Sequence, residues 1–194
     1  MKLEDAFLYL ELDGSAGAGD AAALCAAAID GGVDVVDVDG ARMEDGALRE
    51  LAAACHGEEA LLVLRNAADR VAAAEADGLR LAAGGDDLGL ARVTLGEGRF
   101  IGMTTEDLNQ ARLSLEIGAD YLVHRAGTDC AGDFSALRFE ARVPLFAAGF
   151  DGVEEARRLT DAGVFRLCLT AGSGDAAALR EKAASYARLL GRCV

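Results

Sequence analysis

Five nitrogen-bearing side chains fall at or near the ends of short apolar runs in an otherwise acidic chain: Arg65 with Asn66, Arg80, and His124 with Arg125. Brought to one place, the three guanidinium groups would grip a phosphate, a diphosphate or a carboxylate, because their planar forks match an oxyanion. Asp37 and Asp39 end another apolar run. A spacing of two puts both on one face of a strand, where they bind a metal, balance the arginines or face solvent. Further along, Ala147-Ala148-Gly149-Phe150-Asp151 and Leu169-Thr170-Ala171-Gly172-Ser173-Gly174 are runs of small residues. The second leads into a helical pattern, and backbone N–H groups beside a helix N-terminus make an anion site. Ala148, Gly149, Thr170, Ala171 and Gly172 are therefore candidates for holding a phosphate. Of the two histidines, His56 follows a helical pattern and reads as a helix-end or surface group. His124 is the one placed for acid–base work, though a lone strand histidine also serves as a satisfied structural group.

The elements that must position these residues come from a repeat. Asp34, Asp77 and Asp120 recur at intervals of 43 residues, each after a helix-like tail and before an apolar run, and a fourth copy at Val164 keeps the phase without the Asp. A fixed period of this size marks a repeated supersecondary unit. Each period holds two apolar runs, so four periods make eight strands. These are expected at Phe7–Leu12, Val33–Asp39, Leu61–Arg65, Gly78–Leu81, Phe100–Thr104, Tyr121–Arg125, Pro144–Gly149 and Val164–Thr170. Helical patterns lie between them at Asp20–Asp30, Gly46–His56, Ala67–Glu75, Glu106–Ile117, Val153–Ala162 and Asp175–Leu190, with shorter connectors at Asp87–Leu95 and Asp133–Glu140. Asp20, Thr105 and Asp151 read as N-caps, and Gly31, Gly118 and Gly163 as helix ends. The alternation predicts an α/β protein, a (β/α)8 TIM barrel forming one compact domain over residues 1–194, in preference to an open doubly wound sheet. The repeated Asp residues then begin strands at the stability end of the barrel, and chemistry belongs at the other end.

Composition narrows the function classes. A formal charge of −14 argues against sequence-independent nucleic-acid binding and against anionic membranes. No apolar stretch reaches the roughly 20 residues of a membrane span. The start, Met1-Lys-Leu-Glu-Asp5, is unlike a signal peptide, and the five cysteines are scattered without a C-x-x-C pair. Together these point to a reducing cytoplasm. The residues themselves call for no cofactor, and the partner they suggest is a small phosphorylated metabolite. The Ala-rich helix over Asp20–Asp30 offers a face that a second subunit could cover, as a homodimer.

The phrases Gly31-Gly-Val-Asp-Val-Val36, Ala76-Asp-Gly-Leu-Arg-Leu81, Phe100-Ile-Gly-Met-Thr-Thr105, Gly118-Ala-Asp-Tyr-Leu-Val123, Val143-Pro-Leu-Phe-Ala-Ala-Gly149 and Leu169-Thr170-Ala171, in this order and spacing, resemble the thiamine-phosphate synthase and thiazole tautomerase (TenI-like) superfamily. The resemblance implies a TIM barrel of thiamine metabolism. The synthases join a hydroxymethylpyrimidine diphosphate to a thiazole phosphate with Mg²⁺ on the diphosphate. Thr104, Gly149 and Thr170 match small phosphate-contacting positions of the family. Departures cluster at the strand ends. The family's Gln-x-Arg-x-Lys is Asp37-Val-Asp39-Gly-Ala41 here, its metal-binding Asn-Asp is Arg65-Asn66, its His-Leu-Gly-Gln is Arg80-Leu-Ala-Ala, and its Thr-x-Thr-Lys loop is missing. Asp86 or Asp87 would stand for the second metal-binding Asp. The resemblance thus implies a synthase-like transferase whose diphosphate and Mg²⁺ site is degraded. Two alternatives stay open: a non-catalytic barrel that binds a phosphorylated metabolite or a protein, and a metal-free tautomerase-like isomerase using His124, which is followed by Thr128-Asp129-Cys130.

Overall fold

Short Leu- and Val-rich runs without strict alternation suit strands buried on both faces. In the computed structural model they form eight parallel strands: β1 (Leu8–Leu12), β2 (Val35–Asp39), β3 (Leu61–Arg65), β4 (Gly78–Leu81), β5 (Phe100–Thr105), β6 (Tyr121–His124), β7 (Leu145–Ala147) and β8 (Leu167–Ala171). They close in sequence order, with β8 returning to pair with β1 from Leu8↔Leu167 to Leu12↔Ala171. The structure describes residues 1–12, 18–82, 88–125, 130–171 and 174–193. Among these, seven α-helices cover the outside: α1 (Ala18–Asp30), α2 (Asp45–Gly57), α3 (Leu88–Leu95), α4 (Leu108–Glu116), α5 (Cys130–Glu140), α6 (Gly152–Asp161) and α7 (Ala176–Leu189).

The closed sheet separates two cores. Leu10, Val36, Leu62, Leu79 and Leu122 belong to the larger one, with the helices. Tyr9, Val35, Val63, Tyr121, Val123 and Phe146 form the second, in the barrel interior. Its rings interlock: Tyr9 lies 5.2 Å from Phe146, and Tyr121 stands edge-on to Phe100 at 5.7 Å. Two glycines make this possible. A Cβ on Gly102 would sit 2.1 Å from the Tyr121 ring, and one on Gly78 would sit 2.3 Å from the Phe100 ring.

The 43-residue repeat has a physical basis. The Asp34 carboxylate accepts the N–H groups of Phe7 and Leu8 at 2.8 and 2.9 Å, and a guanidinium N–H of Arg192 at 2.7 Å. Asp77 accepts Leu62 N–H at 2.8 Å and pairs with His56 at 3.0 Å. Asp120 accepts Ile101 N–H at 2.7 Å and pairs with Arg92. Each Asp precedes one strand and closes the start of the strand before it, so orphan N–H groups find a charged acceptor. His56 is accounted for by this latch.

Some expected elements differ. Ala67–Glu75 is not a helix but a short 3-10 turn, Ala68–Arg70, followed by irregular turns. The segment is too short to nucleate a helix on its own, and Arg70 is drawn away to Asp45 and the Gly40 carbonyl. The segment packs through Val71 and Ala74, which are buried. The connector at Asp133–Glu140 is longer than expected, as α5 begins at Cys130. Asp20 lies inside α1, and Thr105 ends β5 while Asp107 caps α4 by accepting Gln110 N–H at 2.8 Å. Asp151 stands at the N-cap of α6 without a side-chain capping bond. After α1 the positive φ falls on Gly32, not Gly31. Gly31 instead permits close approach, since a Cβ there would lie 2.5 Å from the Arg180 carbonyl on α7.

Candidate functional site

In a (β/α)8 barrel the C-terminal strand ends are where loops and side chains converge on a ligand. Three arginines meet there. Arg65, the last residue of β3, donates Nε to Asp37 at 3.1 Å and Nη1 to Glu11 at 2.8 Å. Arg80, on β4, is 2 % exposed. It pairs through Nε with Asp37 and donates Nη1 to Thr104 Oγ1 at 2.9 Å. Arg125, just past β6, pairs with the other oxygen of Glu11. Below them Tyr9 donates its hydroxyl to Asp37 at 2.6 Å. With Asn66, Gln110 and the exposed Glu106, the three arginines, Glu11 and Thr104 line a cavity of about 280 Å³.

The charges in this cluster hold one another. Burial works against the Arg80 charge, but Asp37 foremost, then Tyr9 and Glu11, raise its pKa well above the usual guanidinium value. The Tyr9 hydroxyl is pushed up, first by burial and then by Asp37, and Tyr121 likewise. Both stay neutral and serve as hydrogen-bonding groups. The Cys168 thiol, pushed up to about 12 chiefly by burial, is equally inert. Arg80 Nη2 is buried with no aligned acceptor, although Glu11 Oε2 lies 3.2 Å away at ion-pair distance.

A second cavity, of about 220 Å³, opens between β7 and β8, lined by Gly149, Phe150, Asp151, Thr170, Lys182 and Tyr186 among others. Lys182, one of only two lysines in the chain, reaches over from α7 and donates Nζ to the Thr170 carbonyl at 3.1 Å. Of the predicted phosphate-binding set, Gly149 and Thr170 line this cavity, and Ala171 follows Thr170 at the end of β8. Ala148 is buried and its N–H donates to the His124 carbonyl, so it offers no free donor. Thr104 is in the arginine cavity instead. Gly172 and Ser173 lie outside the described residues, as do Asp86, Asp87, Thr128 and Asp129.

Two parts of the predicted set take positions of their own. His124 is fully buried behind the strand wall. Its Nδ1 meets Thr105 Oγ1 at 2.8 Å, its Nε2 meets Asp133 Oδ2 on α5 at 3.1 Å, and its ring stands edge-on to Phe134. With both nitrogens engaged under a helix, it ties α5 to the barrel and does not reach the mouth as an acid or base. Asp37 and Asp39 part company. Asp37 is fully buried among the arginines, whereas Asp39 accepts Ala41 N–H at 3.1 Å and pairs with Arg42 at the rim.

The residues present do not fit Mg²⁺. A magnesium site wants carboxylate oxygens free to coordinate. Here Asp37 is engaged by two guanidinium groups and a hydroxyl, Glu11 is held by Arg65 and Arg125, and the exposed Glu106 is a single carboxylate at the edge of the cavity. No cluster of three His, Cys, Asp or Glu able to hold a metal exists among the described residues.

Glu11 and Lys182 were not anticipated from the sequence. Glu11 had a signal: it is the one charged residue in the apolar run Leu8-Tyr-Leu-Glu-Leu12, two residues from Tyr9 and so on the same interior face. Lys182 had none beyond its rarity.

Fold and site together define a small (β/α)8-barrel protein with a cation-rich mouth. Residues 8–129, more than half of the chain, match the thiamine monophosphate synthase (TMP-TENI) family. The thiamine-phosphate synthase of Saccharopolyspora erythraea is 34% identical over 215 residues, covering 98% of this chain and 95% of that protein. That of Acidothermus cellulolyticus is 32% identical, covering 97% and 96%. Among solved structures, thiamine phosphate pyrophosphorylase from Pyrococcus furiosus superposes with a TM-score of 0.80 at 18% identity, covering 97% and 96%, and shows the shared fold. The chain belongs to the thiamine-phosphate synthase family, within the TenI-like superfamily. No helix among the described residues is long and apolar enough to cross a membrane.

Proposed function

We propose that this barrel binds a phosphorylated heterocycle of the thiazole phosphate or thiamine phosphate class across its mouth, in the cytoplasm, and does not carry out the Mg²⁺-dependent displacement of diphosphate. The phosphate would sit in the β7–β8 cavity against Gly149, Thr170, Ala171 and the Lys182 ammonium, with Gly172 continuing that loop in sequence. The polar edge of the ring would face Asn66, Arg80 and Arg125. The observation that supports this reading most is the state of Asp37. At the strand end where the family's pattern carries cations, an aspartate is buried between Arg65 and Arg80, and it has no oxygen to lend to a metal.

Magnitudes favour binding over turnover. Removing one preorganised group that stabilises developing charge raises a barrier by about 3 kcal/mol. The chain lacks two cations of the second-strand pattern, the lysine of the strand-six loop and a metal-binding Asp. Losses of that size, combined, take the displacement reaction below a measurable rate. Binding needs only a cavity and a few donors, and both are present.

Thermal unfolding tests the reading. Thiazole phosphate or thiamine phosphate at about 100 times its Kd stabilises by about 2.7 kcal/mol, which for a chain of this size raises Tm by roughly 5–10 °C. Thr170→Glu, exposed on β8, should remove the shift by repelling the phosphate while leaving the Tm of the free protein close to that of the parent. Absence of a shift with every phosphorylated ligand of this class contradicts the proposal.

A further inference from the structure

At the centre of the arginine cluster sits a carboxylate that belongs to the protein. Glu11 is 7% exposed. Its Oε1 accepts from Arg65 Nη1 at 2.8 Å, and its Oε2 pairs with Arg125 and lies 3.2 Å from Arg80 Nη2. Three guanidinium groups converging on one pair of oxygens is the arrangement by which proteins hold a bound oxyanion, and here the first occupant is built in. Asp37 neutralises a second charge from below. Three arginines against two buried carboxylates leave one positive charge among the buried groups, and the exposed Glu106 carboxylate, which also lines the cavity, offsets it. The cluster's free donors at the cavity are the remaining N–H groups of Arg125, which is one-third exposed, the amide nitrogens of Asn66 and Gln110, whose oxygens are already engaged, and the Thr104 hydroxyl.

We propose that Glu11 is the charge-selecting residue of the mouth: as a resident anion among Arg65, Arg80 and Arg125, it lets the cavity take a low-charge oxyanion directly, without a divalent ion, and turns away a diphosphate. This rests on the reading of the mouth as a ligand site and adds to it the kind of charge the site accepts. The physical reason is repulsion in a poorly screened place. A highly charged anion entering the cavity meets the Glu11 carboxylate at close range, where burial weakens screening, and with Glu106 also lining the cavity no net positive charge is left to offset it. Adding Mg²⁺ brings little rescue, because Glu11 and Asp37 are held by the arginines and the exposed Glu106 offers a single carboxylate at the cavity. Glu11 acts through the arginines and is a positioning and selecting residue.

The test uses the full chain carrying Thr170→Glu, so that the β7–β8 cavity contributes nothing, with calorimetric titration at fixed ionic strength. Inorganic phosphate is the lower-charged probe and pyrophosphate the higher-charged one, each with EDTA and with Mg²⁺. With Glu11 present, phosphate should bind about tenfold more tightly than pyrophosphate, and Mg²⁺ should change neither by more than about twofold. Glu11→Gln keeps the shape and removes the charge. It should raise pyrophosphate affinity by at least about tenfold and invert the order. Glu11→Asp, which keeps the charge, should keep the original order. Arg125→Gln serves where Glu11→Gln does not fold, and it should weaken phosphate binding by about tenfold or more. Tighter pyrophosphate binding with Glu11 in place, an unchanged order in Glu11→Gln, no effect of Arg125→Gln, or no binding of either probe to any variant overturns the inference. These outcomes concern the arginine cavity alone, and failure of thiazole phosphate to stabilise the parent chain is a separate result that bears on the β7–β8 reading.

Discussion

Asp37→Asn should destabilise the protein by about 3–5 kcal/mol, lowering Tm by roughly 10 °C or more. The carboxylate it removes is fully buried and serves three partners, Arg65, Arg80 and Tyr9. Arg80, at 2 % exposure, cannot turn to water when its partner loses its charge. The large term is the buried guanidinium left without its main partner, with only Glu11 at ion-pair distance, and not the worth of the pair. That distinction gives a sharper expectation for the double variant. Asp37→Asn with Arg80→Met should recover most of the lost stability, so the two changes are strongly non-additive in a denaturation cycle. A single-variant loss under about 1 kcal/mol, or full additivity in the double variant, would show that the pair is not the buried, mutually dependent unit described.

Gly102→Val should cost at least about 3 kcal/mol by overpacking. A Cβ at this position would stand 2.1 Å from the ring of Tyr121, and that ring has nowhere to go. Phe100 and Phe146 meet it edge-on and Tyr9 lies against it, with ring centroids 5.7 to 6.2 Å away. Its hydroxyl is 3.3 Å from that of Tyr9. Gly98→Val, at an exposed position with open space around it, is the matched control and should stay within about 0.5 kcal/mol of the parent. Shrinking the obstacle should help, so Gly102→Ala should be better tolerated when combined with Tyr121→Leu than alone. Equal tolerance of Gly102→Val and Gly98→Val in chemical denaturation would contradict the packing described for the interior.

How far the sequence spoke depends on which physical signal each feature left. The repeated Asp residues and the eight apolar runs predict the barrel because the period follows from a physical unit, two strands and one strand-closing carboxylate. Arg65, Arg80 and Arg125 were legible as a cluster for the same reason, since a closed barrel sends the ends of β3, β4 and β6 to one mouth. His124 was misplaced by parity. It neighbours Arg125, and consecutive strand residues point to opposite faces, so both could not enter the mouth. Tyr121 and Val123 in the interior core assign the outward face to His124. The Ala67–Glu75 segment misled because Ala-rich composition states a helix preference without a partner surface to fix it. The pairing of Glu11 with three arginines joins residues 54 or more positions apart, and no local pattern reports a contact of that kind. The splitting of the predicted phosphate set, with Thr104 in one cavity and Thr170 in the other, likewise depends on where strands sit around the ring.

A family frame with a mouth rebuilt in this way should no longer perform the family's reaction. The direct measurement is formation of thiamine phosphate from hydroxymethylpyrimidine diphosphate and thiazole phosphate with Mg²⁺, at high protein concentration and long incubation, in a preparation already shown to bind thiazole phosphate. The predicted result is a flat product trace with and without Mg²⁺. Product that accumulates in proportion to protein and rises with Mg²⁺ would contradict it, and would require Asp37 to leave its arginines when the diphosphate arrives.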